Sequence, residues 1–137
     1  IIGDYKLEAE DILHAHKFDD AIARGTYPID IHNPIGKGTV LKRIPQGEAY
    51  EIPLRSLLPR GVDNLLVAGR CISGTHQALS AYRVMPISMA TGQAAGVCAG
   101  LACRAGVKPR ELDAGDVQAE LIRQGASLRD TRTDPSI

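Results

Sequence analysis

The sequence lacks three features that would assign it to a large protein class: an excess of one charge, a long apolar run and a cysteine framework. Its 16 basic and 16 acidic residues balance, so it has no electrostatic footprint for nucleic acid or an anionic membrane surface. No segment approaches the roughly 20 consecutive apolar residues of a membrane span, and the N-terminus lacks the pattern of a signal peptide. We therefore expect a globular protein without a nucleic-acid or membrane partner.

The cysteines and histidines do not form a ligand pattern. Three cysteines without a CxxC pair are typical of a reducing compartment, and we expect a cytoplasmic location. Cys98 and Cys103 lie about 140° apart around a predicted helix, so we predict two small buried hydrophobes and not a ligand pair. His14 and His16 diverge on a helix and have no third ligand nearby. We predict that the chain has no metal site and that these histidines are solvated.

The sequence also lacks an initiating methionine and a phosphate-binding motif. It begins at Ile1 with a stretch typical of the middle of a domain, so we expect it to be part of a longer protein. Its 137 residues, 44% of them hydrophobic, are long enough for one domain. The "GKG" at 36–38 has neither the spacing of a P-loop nor the third glycine of a dinucleotide fingerprint. We interpret it as part of a loop.

Hydrophobic periodicity predicts short elements in the first half of the chain. Helical turns are predicted over 8–13 and 18–24, the second ending at Gly25. "TYPIDIH" alternates as a strand does, with Asp30 and His32 on one face. "NPIGKG" is a predicted loop, and "TVLKRI" and "EAYEIPL" are predicted to form a β-hairpin around "PQG".

The second half has a short apolar run and two helical patterns. Residues 65–68 are unbroken hydrophobes, which predicts a strand covered on both faces, as in parallel sheets, with neighbours outside this chain. Helices are predicted over 86–105 and 114–124, with stops at Gly106 and Gly125 and an N-cap at Asp113. Three glycines share one side of the first helix, which indicates close approach of another backbone or a ligand; they are Gly92, Gly96 and Gly100.

Polar side chains meet a helix start directly after the apolar run. Gly69 ends the run, Arg70, His76 and Arg83 follow, and the helix begins at Pro86. In open α/β sheets ligands bind beyond the carboxyl ends of strands, and a helix N-terminus offers free N–H groups and a positive dipole end. This pattern favours an anionic or electron-rich ligand. The alternative, that the arginines are surface charges and His76 a loop residue, stays open on spacing alone.

Two stretches of the sequence resemble a known family, and they are "YEIPLRSLLPRGVDNLLVAGRCISGTHQALSAYRVMPISMATGQAAG" and "YPIDIHNPIG". Both resemble the C-terminal segment of the FAD-dependent oxidoreductase family, a branch of the glutathione-reductase-like and fumarate-reductase-like flavoproteins. The resemblance covers about residues 1–125. It implies the closing part of a two-domain FAD-binding Rossmann-type fold, α/β overall and mixed α+β in this chain. About residues 1–55 would lie on the substrate side and about 56–125 would close the FAD domain, with 126–137 as a flexible tail.

The resemblance also implies FAD, held mainly by an N-terminal half whose GxGxxG fingerprint this chain lacks. That half would be the partner of this segment, and the isolated segment could self-associate. The residues implied on the cofactor side are Gly69, Arg70, Pro86, Ile87, Ser88 and Met89. Many relatives carry an acidic residue after the strand glycine to bond the ribityl chain, whereas this sequence has Arg70.

For chemistry on a small-molecule organic substrate, the candidates are His32, His76, Arg70 and Arg83, of which His32, His76 and Arg83 are the predicted catalytic residues. Histidine exchanges protons near neutral pH, and arginine holds a carboxylate or stabilises an alkoxide. The alternative for His32 is a partly buried histidine bonded to backbone. We expect hydride transfer between substrate and flavin in the intact protein and none in the segment alone. The alternative function is a stand-alone, non-catalytic binding or interaction module.

Overall fold

The structure is a computed structural model that describes residues 1–32 and 39–129, with His32, Thr39 and Val40 described by their backbone alone. The predicted loop "NPIGKG" occupies 33–38 and lies outside the described residues, as does the tail from 130 onward. Of the tail's first residues, Arg129 donates from Nε to the Glu51 carboxylate at 3.1 Å.

The chain has mixed α+β character, as predicted. Its helices are α1 (Ala9–Leu13), α2 (His76–Tyr82), α3 (Met85–Ala105) and α4 (Ala114–Arg123). Its strands are β1 (Ala21–Gly25), β2 (Ile29–His32), β3 (Thr39–Lys42) and β4 (Tyr50–Pro53). Short 3-10 turns occur at Leu54–Leu57, Gly69–Cys71 and Pro109–Glu111.

The strands form two antiparallel pairs, and this pairing corrects two predictions. β1 pairs with β4, so that Gly25 lies opposite Tyr50, and β2 pairs with β3. The predicted helix over 18–24 is therefore wrong, because burial of the small β1 residues against β4 and α3 outweighs their helix propensity. The predicted hairpin around "PQG" is wrong as well, since its two strands each pair with an earlier strand instead of with each other.

The predicted strand over 65–68 is wrong within the described residues. These residues form no strand, and Leu65 is 45% exposed. Val67 N–H donates to the Leu57 carbonyl at 3.0 Å, and the Ala68 carbonyl accepts from Cys71 N–H at 3.3 Å; neither bond pairs the stretch with a strand. A strand needs a neighbouring strand to satisfy its N–H and C=O groups, and the described chain places none beside it.

The two long helices begin and end where local signals placed them. Pro86 lies in the first turn of α3, and Gly106 ends that helix in the left-handed region at φ 68°. At α4 the Asp113 side chain accepts a hydrogen bond from Gly115 N–H at 2.7 Å, and the predicted helix is confirmed to within one residue.

The core lies between the β1–β4 pair and helices α3 and α4. Its fully buried side chains include Tyr50 and Ile52 of β4, Ile22 of β1 and Leu121 of α4. Cys98 of α3 is buried as predicted, whereas Cys103 is exposed because it lies on the other side of the same helix. His14 and His16 are exposed, as predicted.

Within the described residues, no single helix is both long and apolar enough to cross a membrane. Only α2 and α3 taken together reach that length and composition, and a bend of 95° separates them.

Candidate functional site

The turn at Gly69 is hydrogen-bonded to the second turn of α3. Gly69 N–H donates to Thr91 Oγ1 at 2.9 Å, and the Thr91 hydroxyl donates to the Ser88 carbonyl at 3.0 Å. Thr91 is 1% exposed, whereas Gly69 and Ser88 are partly buried, so both bonds are partly shielded from water. Gly69 has φ 64°, a backbone conformation that favours glycine. The fold thus brings together two predicted cofactor-side residues, Gly69 and Ser88.

The first turn of α3 presents backbone donors without a side-chain cap. The N-cap is Val84, which has no side-chain oxygen, and Pro86 in the first turn has no N–H. Ser88 N–H bonds back to the Val84 carbonyl at 3.0 Å. Within the described part of the chain the N–H groups of Met85 and Ile87 have no acceptor, and they lie at the positive end of a helix of 21 residues. This arrangement suits an electron-rich group.

A cleft of about 800 Å³ opens beside this helix start, and we call it the Arg24 cleft. Its floor is the end of β1 at Arg24 and Gly25, and Glu48 and Ser127 stand among its lining residues. Its apolar walls come from the start of β2 and the start of α3: Tyr27, Pro28, Val84, Pro86 and Ile87. The predicted residues Pro86 and Ile87 therefore face a cavity large enough for a small organic molecule.

Tyr50 lies directly behind the floor of the Arg24 cleft. It is fully buried, and a Cβ added to Gly25 would lie 2.5 Å from its hydroxyl and 2.7 Å from Ile87 Cδ1. Its hydroxyl has no hydrogen-bond partner among the described residues, and burial raises its pKa well above the usual range for tyrosine. Tyr50 therefore stays protonated at neutral pH and does not act as a base.

The Arg24 cleft contains an acidic and a basic side chain, and only the acidic one forms an ion pair among the described residues. Glu48 is neutralised by Lys17, whose Nζ lies 3.0 Å from Glu48 Oε2. The buried Nε of Arg24 has no hydrogen-bond partner, and Arg24 forms no ion pair within the described part of the chain. Among residues 1–32 and 39–129, the cleft therefore contains a cation without a counter-ion.

A second, smaller cleft of about 150 Å³ lies between β2 and α2, and we call it the His76 cleft. It is lined by Asp30, Ile31, His76, Leu79, Ser80 and Arg83, so two of the predicted catalytic residues share it. His76 and Arg83 are both exposed. The third, His32, stands at the end of β2, but its side chain lies outside what the structure describes. The His76 cleft by itself is smaller than typical small-molecule sites.

The remaining predicted cofactor-side residues lie at the surface. Arg70 is exposed in the turn Gly69–Cys71, and Met89 is 74% exposed on α3. Met85, on the same side of α3, is 79% exposed. We call this side the outer face of α3, and it consists of Met85, Met89, Gly92 and Gly96. A Cβ added at Gly92 or Gly96 would meet nothing within 4 Å in the described structure. The close approach that the glycines indicated is therefore not made by the residues described.

Sequence reasoning missed Arg24, Tyr50 and Thr91. The sequence predicts a helix over 18–24, on which a lone arginine gives no functional signal. The small residues Ala21, Ala23 and Gly25 at every second position were the available signal for a strand with one close-packed face. Thr91 gave no signal, because its role depends on a turn 22 residues away along the chain.

Comparison with known proteins gives one finding. A family model described as "FAD dependent oxidoreductase" matches residues 1–121 of the chain. Searches of curated proteins and of solved structures gave no significant match. The matched range contains the Gly69 turn, all of α3 and the described residues of the His76 cleft.

Proposed function

Because the chain belongs to the FAD-dependent oxidoreductase family, we propose that it closes the flavin site of such an enzyme, with the start of α3 directed at the flavin. The observation that supports this proposal is the uncapped first turn of α3 beside the Gly69 turn, which Thr91 holds in place. This helix start borders a cleft of about 800 Å³, so an electron-rich ligand edge would meet backbone donors and a small organic molecule would have space next to it.

The residues at this place fit FAD. When bound, FAD supplies the hydride-accepting N5, and it carries negative charge near N1 and O2 once reduced. The N–H groups of Met85 and Ile87 and the dipole of α3 stabilise negative charge at the helix start. In this proposal Gly69, Ser88 and Met89 form the surrounding surface, and the exposed Arg70 adds a positive charge within the Gly69 turn.

The substrate-side residues in this proposal are His76, Arg83 and His32. His76 and Arg83 share the His76 cleft, in which the histidine is placed to exchange a proton and the arginine to hold an anionic group. The arginine stands at the junction of α2 and α3, next to Val84, which lines the Arg24 cleft. The two clefts therefore have consecutive residues, Arg83 and Val84, in their linings. In the proposal both clefts face the organic substrate.

A further region must supply the phosphate-binding part of the site, since the sequence has no GxGxxG fingerprint. We assign that role to an N-terminal FAD-binding half of the parent chain, which would dock on the outer face of α3. That face lacks side chains at two glycines, so another backbone can approach it closely. The 137-residue chain alone is then expected to be catalytically inert, and the cytoplasm remains the expected location.

Two flavin measurements test the proposal. The 137-residue chain is titrated with FAD, and the protein made from the complete reading frame is assayed for bound flavin by absorbance after gel filtration. We expect no stoichiometric binding to the chain alone and about one FAD per chain in the complete protein. Stoichiometric, tight binding to the 137-residue chain would contradict the assignment of the phosphate site to another region.

The alternative function is a non-catalytic binding or interaction module, and the exposure of Met85 and Met89 on the outer face favours it. Sedimentation equilibrium of the 137-residue chain measures whether this face causes self-association. A stable dimer, combined with a complete reading frame whose product binds no flavin, would support the module. A monomeric chain and a flavin-loaded complete protein would exclude it.

A further inference from the structure

We propose that the Arg24 cleft binds an organic anion, with a carboxylate paired to the Arg24 guanidinium and an apolar body against the cleft walls. The binding site stands on the geometry of the cleft. The identification of this anion as the substrate of the enzyme rests on the function proposed above.

The charge of the cleft favours an anionic ligand. The Nε of Arg24 is buried and has no acceptor among the described residues, so its loss of hydration is not offset by a hydrogen bond there. The carboxylate in the cleft lining does not satisfy it, since Glu48 is paired with Lys17. A ligand carboxylate in the cleft would pair with the terminal nitrogens of the Arg24 guanidinium, which are not among the buried atoms that lack a partner and whose N–H groups match the two oxygens of a carboxylate.

The walls of the cleft favour a ligand with an apolar body. Five of the lining residues present apolar surface, from Tyr27 and Pro28 on one side to Val84, Pro86 and Ile87 on the other. Such walls favour an aromatic or aliphatic body over a small, strongly hydrated inorganic anion. The volume of about 800 Å³ is within the range of roughly 300–1,000 Å³ that is typical of small-molecule sites.

The experiment compares each acid with its neutral amide, so that shape is kept and charge is removed. Benzoate and benzamide, and hexanoate and hexanamide, are titrated by calorimetry into the protein made from the complete reading frame. We expect each carboxylate to bind at least about tenfold more tightly than its amide, and Arg24→Gln to abolish that preference. Arg24→Lys keeps the charge without the two-pronged geometry, so it should keep part of the preference.

A matched control and a second variant guard against a folding defect. Arg104→Gln removes an exposed arginine about 27 Å along α3 from Pro86, so it should leave both affinities unchanged. Ser127→Trp places a large ring at the exposed rim of the cleft and should weaken both carboxylates and amides, with an unchanged thermal midpoint.

Two results would overturn the inference: equal or absent binding of acid and amide in the unmodified protein, or a full preference in Arg24→Gln. If Arg24→Gln does not fold, unchanged binding in a folded Ser127→Trp variant overturns the inference instead. Flavin content, measured on every sample, separates this inference from the proposed function. A flavin-loaded protein without the acid preference refutes the inference alone, whereas a flavin-free protein that prefers the acids refutes the proposed function alone.

Discussion

Replacing Thr91 with valine tests whether the Gly69 turn is held by the hydroxyl or only by packing. The substitution keeps the branched shape and removes the acceptor of the Gly69 N–H bond, which is 2.9 Å long. The Ser88 carbonyl also loses a donor, but it is a helix carbonyl that can still accept an intrahelical bond. The main consequence is one partly buried N–H group without its partner.

The expected cost follows from two opposing effects. Leaving a buried donor unsatisfied costs about 1–3 kcal/mol, and the lower half of that range applies because Gly69 is only partly buried. Placing a methyl group where Thr91 has its hydroxyl, at a position 1% exposed, returns up to about 0.8 kcal/mol. We expect the free energy of unfolding to fall by about 0.2–2 kcal/mol for Thr91→Val.

Global stability cannot separate the hydroxyl from packing, so the assay is local. Hydrogen exchange of the Gly69 amide should accelerate about tenfold in Thr91→Val, which corresponds to about 1.4 kcal/mol of lost protection. Thr91→Ser is the matched control, because it keeps the hydroxyl and loses only the methyl group, so Gly69 should stay protected. Unchanged Gly69 exchange in Thr91→Val, or equal acceleration in both variants, would refute the reasoning.

Two further predictions concern packing and pH. Gly25→Ala should destabilise the chain by about 1–3 kcal/mol in denaturant unfolding, because its Cβ would overlap the buried Tyr50 ring, whereas Gly92→Ala on the open face should stabilise it by up to about 1 kcal/mol. Similar effects of the two substitutions would contradict this account. Burial raises the pKa of Tyr82 to about 12, with a smaller contribution from Cys71, so the free energy of unfolding should be maintained below pH 10 and fall as the pH rises towards 12. Tyr82→Phe should make that fall shallower in melts at pH 8, 10 and 11.5, because Tyr5 and Tyr50, whose pKa values are also raised, still contribute to it. An unchanged slope would exclude a contribution from Tyr82.

The parts of the fold that could be predicted are those whose signals act within one helical turn. Pro86 and Gly106 delimit α3, and Asp113 and Gly125 delimit α4, because a missing N–H, a left-handed residue or a capping carboxylate acts on its immediate neighbours. The pairing of β1 with β4 could not be predicted in this way. It depends on Tyr50 packing over Gly25, a contact between residues far apart in sequence.

The residues of the candidate site likewise fall into those that local sequence signals predict and those whose role depends on tertiary packing. His76 and Arg83 were predicted individually, and they share a cleft because a spacing of seven residues is close to two helical turns. Arg24 was not predicted, because its importance comes from what surrounds it: a buried Nε, apolar walls and an acid already paired with Lys17. A sequence pattern identifies the side chains that could bind an anion, and packing decides which of them remain unpaired.

Two wrong or unmet predictions are accounted for by the same proposal. The apolar run at 65–68 has the composition of a covered strand, yet it forms no strand in the described chain, and Leu65 is 45% exposed. The glycines of α3 have the spacing of a close-packed face, yet Gly92 and Gly96 contact nothing that would need the space, although each costs about 1 kcal/mol relative to alanine. Docking of the proposed FAD-binding half would account for both, since it would supply neighbours for the run and a backbone for the glycine side. Gly92→Ala should therefore have opposite effects in two settings: stabilising in the 137-residue chain, and weakening flavin retention in the complete protein.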